Sequence, residues 1–378
     1  MAEKHIFISL GSNLGNRLEN LTKALILLEA DDIRVLVISP IYETLPWGFE
    51  STSFYNACAE LETTMTPEQL LKTLLKVEEK LGRVRNSEDG YSARIIDLDI
   101  LSFDDLIINS SLLTLPHPRL HLRNFVLVPL SQIAPSWRHP ILKKSISTLI
   151  HESPDKALCN PFPLSFWTPE IFEDSAFIAI EGNIGVGKTT LAKKISDRYQ
   201  VPILLEGYAD NPYLKLFYNE PEKYALDVET FFLHDRLKQV DNFWSQNTGP
   251  AVADYVLYKS LVFAAQNLDS ETFKKYKASF SKYVNKQKSP SILVFLTAEV
   301  PYLQNQIKKR GRSYEQNIED AYLKKIEIGY KKMLETELPF LVLKIDAATY
   351  DFKESEQEFQ HLLRKICGAK FLYNNSKQ

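Results

Sequence analysis

The sequence predicts two domains of different class, an α+β sandwich on an antiparallel sheet and then an α/β domain on a doubly wound parallel sheet. Three observations carry this. The chain has 378 residues, against the ~150 of an ordinary compact domain. The order of strand-like and helix-like runs changes character after residue 160. A stretch with Pro161, Pro163 and Pro169 marks the change, and proline disfavours regular structure on both sides of itself. The expected division is residues 1–159, a linker over 160–174, and residues 175–378.

In the first part, a strand over His5–Leu10 runs into the turn Gly11-Ser-Asn-Leu-Gly15, and a helix with apolar periodicity follows from Leu18 to Glu29. Strand-like runs cover Arg34–Ser39 and Phe54–Thr63. Thr66 is a natural N-cap and Pro67 suits the first helical position, so a second helix starts there and stops at Gly82. Another strand contains Ile95–Phe103. This β-α-β-β-α-β order predicts a ferredoxin-like sandwich.

In the second part, a strand over Phe177–Glu181 leads through a Gly-rich turn into a helix over Lys188–Tyr199. Strands recur at Ile203–Leu205, Ala251–Asp254, Ile292–Leu296 and Phe340–Ile345, and long helical stretches cover Pro221–Trp244, Leu257–Asn267 and Ser270–Lys286. Strands alternating with helices predict a parallel sheet.

Composition narrows the classes of function. A formal net charge of −3 gives no basic field to gather nucleic acid. No apolar run reaches the ~20 residues of a spanning helix, and Met1–Leu10 carries no signal-peptide core, so a cytoplasmic protein with neither membrane nor nucleic-acid partner is expected. Cys58, Cys159 and Cys367 are too few and too far apart for a disulfide framework or a metal knuckle.

The run Gly182, Asn183, Ile184, Gly185, Val186, Gly187, Lys188, Thr189 satisfies G-x-x-x-x-G-K-[ST] and lies between a strand and a helix, as a P-loop must. Glycines let the backbone turn its N–H groups towards phosphate oxygens, and the helix N-terminus adds partial positive charge. Lys188 would reach the outer phosphates, and Thr189 would face Mg²⁺. Phosphoryl transfer also needs charge neutralisation and a proton acceptor. Arg310 and Arg312 can supply the first, and Glu206 at a strand end the second.

Ile180-Glu-Gly-Asn-Ile-Gly-Val-Gly-Lys-Thr-Thr190, Leu205-Glu206, Asn211-Pro-Tyr-Leu with Phe217-Tyr218, and Arg310-Gly-Arg312 with Glu315 together resemble the deoxynucleoside kinase family. The resemblance implies that Glu206 accepts the 5′-hydroxyl proton. It implies that Tyr218 and Glu315 hold the sugar 3′-hydroxyl, and that Arg310 and Arg312 form a lid over the transferred phosphoryl. Gly182 to Gly187 with Thr189 and Thr190 would cradle ATP, and Asp254 would join Thr189 at Mg²⁺. The family's acidic-Arg-Ser triplet reads Asp254-Tyr255-Val256 here, with Lys259 a candidate for the missing charge. Glu229 stands where the family reads the base with Gln, and Ser260 where an Asp is frequent. Arg236 lies about two helical turns after Glu229, so the two either contact a base or pair with each other. Tyr255 keeps a second reading open, in which this domain is a nucleotide-binding sensor or assembly module without transfer. A homodimer through this domain is expected.

Asp97-Leu98-Asp99 on a strand puts two carboxylates on one face, a natural site for Mg²⁺ carrying a triphosphate. Arg83, Arg85, Arg94, His117 and Arg123 surround the pair in sequence. The runs Ser9-Leu-Gly-Ser-Asn-Leu-Gly15, Tyr42-x-Thr44, Phe54-Tyr-Asn56, Gly82-Arg83-Val-Arg85, Arg94-Ile-Ile-Asp97-Leu-Asp99, Pro116-His117-Pro118-Arg119 and Arg123-Asn-Phe125 resemble 6-hydroxymethyl-7,8-dihydropterin pyrophosphokinase. The resemblance implies transfer of pyrophosphate from ATP to the pterin hydroxymethyl, releasing AMP. Asp97 and Asp99 would hold two Mg²⁺, with Arg83 and Arg94 as catalytic cations and Glu78, Arg85, His117 and Arg123 holding ATP. Thr44, Phe54, Asn56 and Phe125 would hold the pterin. The family's Trp-Gly-Pro-Arg-Thr reads Tyr91-Ser-Ala-Arg94-Ile95, a departure in the loop before Arg94.

Overall fold

The structure is a computed structural model that describes residues 5–30, 33–83, 92–162, 171–172, 176–207, 211–312 and 318–375. The chain divides into two compact units, Met1–Pro169 with Gln360–Leu372, and Glu170–Phe359 with Tyr373–Gln378. Among the described residues no helix is long and apolar enough to cross a membrane.

In the first unit, the strand Ile6–Ser12 pairs antiparallel with Phe54–Glu62 on one side and Asp97–Phe103 on the other. Phe54–Glu62 also carries Arg34–Ile38 and Tyr42–Thr44. Successive side chains of a strand point to opposite faces, and each face has found helices. Ile6, Ile8 and Leu10 pack with Leu21, Leu25 and Leu28 of the helix Arg17–Ala30 and with Leu70, Leu74 and Val77 of Pro67–Lys80. Phe7, Cys58 and Leu101 pack with Leu127 and Leu130 of Asn124–Ile133 and Leu149 of Ile146–Glu152. Thr66 caps Pro67–Lys80 through a reciprocal pair with Gln69, a device worth about 1 kcal/mol. The segment expected as a linker opens with Asn160 and Pro161 hydrogen-bonded to Tyr42–Thr44 as an edge strand, where proline's missing N–H does no harm. Phe162 stacks on Tyr55 at 4.7 Å. Residues 163–170 and 173–174 of that segment lie outside the described residues.

The second unit is a five-stranded parallel sheet in the order Ile203–Leu204, Ala251–Ala253, Phe177–Gly182, Ile292–Thr297, Leu341–Asp346. The P-loop strand is central and apolar on both faces, as a strand covered by helices on each side must be. The chain leaves it for neighbours on opposite sides, which places the ligand crevice at the carboxyl ends of these strands.

Glu29, fully buried in the first unit, shows what holds the Gln360–Leu372 segment there. Arg364 Nε donates to Glu29 Oε2 at 2.7 Å, and the other oxygen accepts the Val35 N–H at 3.2 Å. Burial nevertheless pushes the carboxyl up to about 7, against the pull of Arg364. Its folded value thus lies above the unfolded one, so this group favours folding most below about pH 4.5 and progressively less up to about pH 7. Arg364→Ala should cost about 3 kcal/mol by stranding the charge. Its melting temperature should fall further at pH 8 than at pH 5, and Glu29→Gln in the same chain should recover part of the loss. Equal melting of wild type and Arg364→Ala at both pH values would remove the pair from the account.

Candidate active sites

Asp97 and Asp99 lie across the ladder from Gly11 and Ser9, on the same face of the sheet, with Leu98 buried on the other. Asp97 is grasped on both oxygens, by Arg83 Nη1 at 2.5 Å and Arg94 Nη1 at 2.9 Å. Arg83 also donates to Glu78, whose Oε1 accepts the Leu98 N–H at 2.8 Å. Glu78, expected to hold ATP, is 1 % exposed and anchors Arg83 from beneath. Burial works to raise Asp97, but Arg94 and Arg83 outweigh it and hold the carboxyl below its usual range. Asp99 has no such pair. Burial, and then the neighbouring Asp97 charge, push it up to about 7. Two hard-oxygen groups repelling each other on one face are the donor set that Mg²⁺ fits.

A cavity of about 210 Å³ is lined by the pair together with Arg83, Arg94, His117, Arg119 and Arg123 and with Thr44, Phe54, Asn56 and Phe125. Burial, reinforced by Arg123 and Arg119, pushes His117 down to about 4, so the ring is neutral at pH 7. Asn56 Nδ2 donates to Thr44 Oγ1 at 2.8 Å, and a Cβ at Gly11 would come within 2.9 Å of Asn56 Oδ1. Glycine at 11 therefore leaves this amide room to face the cavity. Arg85 lies outside the described residues, as does Tyr91.

In the second unit, Gly187 at φ 108° leads into the helix Lys188–Tyr199. Lys188 Nζ is folded back on the Gly182 and Asn183 carbonyls at 2.8 and 3.0 Å. Burial, then the nearby Lys259 charge, push it down to about 8. Thr189 Oγ1 donates to Asp254 Oδ2 at 2.6 Å, and Asp254 Oδ1 accepts the Glu206 N–H at 2.8 Å. Adjacent hydroxyl and carboxylate oxygens again suit Mg²⁺. Glu206 Oε1 accepts from Arg236 Nε and Nη2 at 3.0 and 2.8 Å, and Oε2 accepts from Lys259 Nζ at 2.7 Å. Burial acts to raise Glu206, but Lys259 and Arg236 prevail and hold it at about 2.

These groups line a cavity of about 490 Å³ together with Ile184, Gly185, Gly187, Thr190, Glu229, Arg310 and Arg312. Asn183 and Val186 turn inward instead. Asn183 Nδ2 donates to the Leu323 carbonyl at 2.8 Å, and Val186 is 1 % exposed. The possible Glu229–Arg236 hydrogen bond does not form. Arg236 goes to Glu206 and, through Nη1, to Ser260 Oγ at 2.9 Å, while Glu229 Oε1 accepts from Asn267 at 2.7 Å. Glu229 Oε2 is buried with no hydrogen-bond partner among the described residues, and burial pushes this carboxyl up to about 7. Tyr218 falls within the helix Leu214–Asn219, but its side chain, like the whole of Glu315, lies outside the description.

Comparison with known proteins decides the families. The model of the deoxynucleoside kinase family matches residues 178–372, and that of the 7,8-dihydro-6-hydroxymethylpterin-pyrophosphokinase family matches residues 7–135. Deoxyguanosine kinase of Bacillus subtilis (strain 168) is 35 % identical over 198 residues, 50 % of this chain and 95 % of that protein. The 2-amino-4-hydroxy-6-hydroxymethyldihydropteridine pyrophosphokinase of Aquifex aeolicus (strain VF5) is 37 % identical over 155 residues, 41 % of this chain and 95 % of that protein. The chain belongs to both families. Its pyrophosphokinase domain is also 42 % identical over 162 residues to the folic acid synthesis protein fol1 of Pneumocystis carinii, spanning only 22 % of that longer protein's length.

Several residues of the two sites carry no motif. Trp47 and Phe49 join the wall of the pyrophosphokinase cavity, with the Arg123 guanidinium 5.1 Å from the Trp47 ring and Phe49 edge-on to Phe54. Phe232 and Phe263 line the kinase cavity, yet in sequence they sit in long helical stretches outside any motif. Asn267, which holds Glu229, gives no sequence signal.

The P-loop depends on Gly182 in particular. Its φ is 151°, and a Cβ there would fall 2.3 Å from the Leu296 carbonyl oxygen. Gly182→Ala should lower the melting temperature and weaken binding of a fluorescent ATP analogue to the kinase domain at least tenfold, a loss of about 1.4 kcal/mol. Unchanged analogue binding by a folded Gly182→Ala chain would show that the loop tolerates the backbone shift.

Proposed function

We propose that the chain is a bifunctional transferase of folate biosynthesis and deoxynucleoside salvage. The first unit, read as a ferredoxin-like sandwich from its strand order, moves pyrophosphate from ATP to 6-hydroxymethyl-7,8-dihydropterin. The observation that carries this is the Asp97–Asp99 pair set against the Arg83, Arg94 and Arg123 guanidinium groups in one cavity. Asp97 and Asp99 would hold Mg²⁺, which when bound neutralises triphosphate charge and clamps it for in-line attack. The Asn56 amide and Thr44 suit the donor-acceptor edge of a pterin, and Phe54 and Phe125 its flat faces. The hydroxymethyl oxygen bonds to the β-phosphorus as the bond to the α-phosphate oxygen breaks, releasing AMP. Arg83 and Arg94 offset the charge that builds on the transferred group. Asp97→Ala should lower AMP release about 10³-fold or more, consistent with the several kcal/mol a templating metal contributes, with little change in melting temperature. Transfer at near wild-type rate by this variant would sink the assignment.

The second unit phosphorylates the 5′-hydroxyl of a deoxynucleoside from ATP. The carrying observation is one crevice holding Lys188, the Thr189–Asp254 pair, Glu206, Arg310 and Arg312. Thr189 and Asp254 would hold Mg²⁺. Lys188 leaves the P-loop carbonyls for the phosphates, and Arg310 and Arg312 meet the transferred group. Glu206 accepts the hydroxyl hydrogen bond, orients the attacking oxygen, and takes the proton as the new bond to phosphorus forms. At about 2 it is a weak base, which suits a loose transition state in which the proton moves late. Tyr218 and Glu315 are assigned to the sugar, and Glu229 with Arg236 to the base. Glu206→Gln should lower kcat about 10²–10⁴-fold, the usual loss for a general base, with the KM for ATP little changed. A kcat within a factor of a few of wild type would remove Glu206 from that role.

A further inference from the structure

Lys259 is the first residue of the helix Lys259–Asn267 and only 7 % exposed. A buried ammonium is costly unless paired, and this one is paired with Glu206 Oε2. Four positions earlier, Tyr255 is 2 % exposed and packs with Phe177, Leu204 and Leu237 in the core of the sheet face. Its hydroxyl has no hydrogen-bond partner among the described residues. Position 255 thus gives the crevice no charge, and the same stretch of chain delivers its cation one helical turn later.

The two cations on Glu206 do different things. Arg236 comes from the helix Pro221–Gln246 and takes Oε1 alone. A carboxylate held at one oxygen only can still swing about that contact, because its last torsion is broad and nearly two-fold. Lys259 takes the second oxygen from a different helix and so fixes the plane of the group. We propose that Lys259 is the positioning residue of the kinase site, orienting the Glu206 carboxylate for the sugar hydroxyl.

This assignment rests on the kinase reading of the second unit. The charges facing the pair come from every element around it: Arg236, Lys188 after the P-loop, Glu181 at the end of its strand and Asp254 after the next.

The test measures kcat and KM of phosphate transfer from ATP to each of the four common deoxynucleosides, on the full chain. It compares wild type, Lys259→Met, Lys259→Arg, Glu206→Gln and the Glu206→Gln/Lys259→Met double variant. Lys259→Met should lower kcat about 10²-fold while leaving the KM for ATP within about threefold. Lys259→Arg, which keeps a cation at that position, should recover most of the kcat loss. The double variant should be no slower than Glu206→Gln by more than about threefold, because a residue that acts through Glu206 has nothing left to act on. That last comparison decides the matter even if Lys259→Met alone does not fold. Wild-type transfer with an unmoved kcat in Lys259→Met, or multiplying losses in the double variant, would overturn the assignment alone. No transfer by wild type to any deoxynucleoside would overturn the kinase reading, and this assignment with it.

Discussion

A carboxylate keeps its charge out of water only where cations are built around it, and both sites are organised by that requirement. Asp97 stays ionised between Arg83 and Arg94, and Glu206 between Lys259 and Arg236. Each arrangement needs a rigid floor. The antiparallel sheet provides one, with Asp97 at the start of the strand paired to Ile6–Ser12. The carboxyl ends of the parallel strands provide the other, with Asp254 tying Thr189 to the Glu206 backbone. The energy of burying these charges is recovered only in the folded arrangement, so fold and site are specified together.

Beside each satisfied carboxylate stands one whose demand the protein leaves open. Burial and the Asp97 charge push Asp99 up to about 7, against the pull of Arg123 and Arg83. Glu229 has one oxygen held by Asn267 and the other without a hydrogen-bond partner, and it too is pushed up to about 7. Unmet electrostatic and hydrogen-bonding demand inside a cavity marks where a ligand supplies what is missing. In the first domain the missing partner is positive charge. In the second it is a hydrogen-bond partner for Glu229 Oε2, which has none among the described residues.

Much of this was legible in the sequence because it is local. The glycines of the P-loop, the Thr66–Pro67 helix start and the Asp97-Leu98-Asp99 alternation each declare a backbone geometry within a few residues. What sequence reasoning missed depends on distance. Glu206 draws its cations from 30 and 53 positions away, and no spacing rule connects them. The helix Asn124–Ile133 went unforeseen because Pro129 stands inside it. There Leu127 and Leu130, packed on the sheet, outweigh the lost backbone hydrogen bond. Strand Asn160–Pro161 was read as linker for the same reason, its proline being tolerated only at a sheet edge. The assignment of Gln360–Leu372 to the first unit through Arg364 and Glu29 joins residues 335 positions apart, beyond any local signal.

The central claim is that one chain houses two independent ATP-dependent transfers that cleave the triphosphate at different bonds. Chromatographic analysis of the nucleotide products tests it directly. With hydroxymethyldihydropterin the chain should yield AMP, and with a deoxynucleoside it should yield ADP. Lys188→Met should abolish ADP formation and leave AMP formation at the wild-type rate. Loss of both products in that variant, or the same nucleotide product from both substrates, would contradict the account.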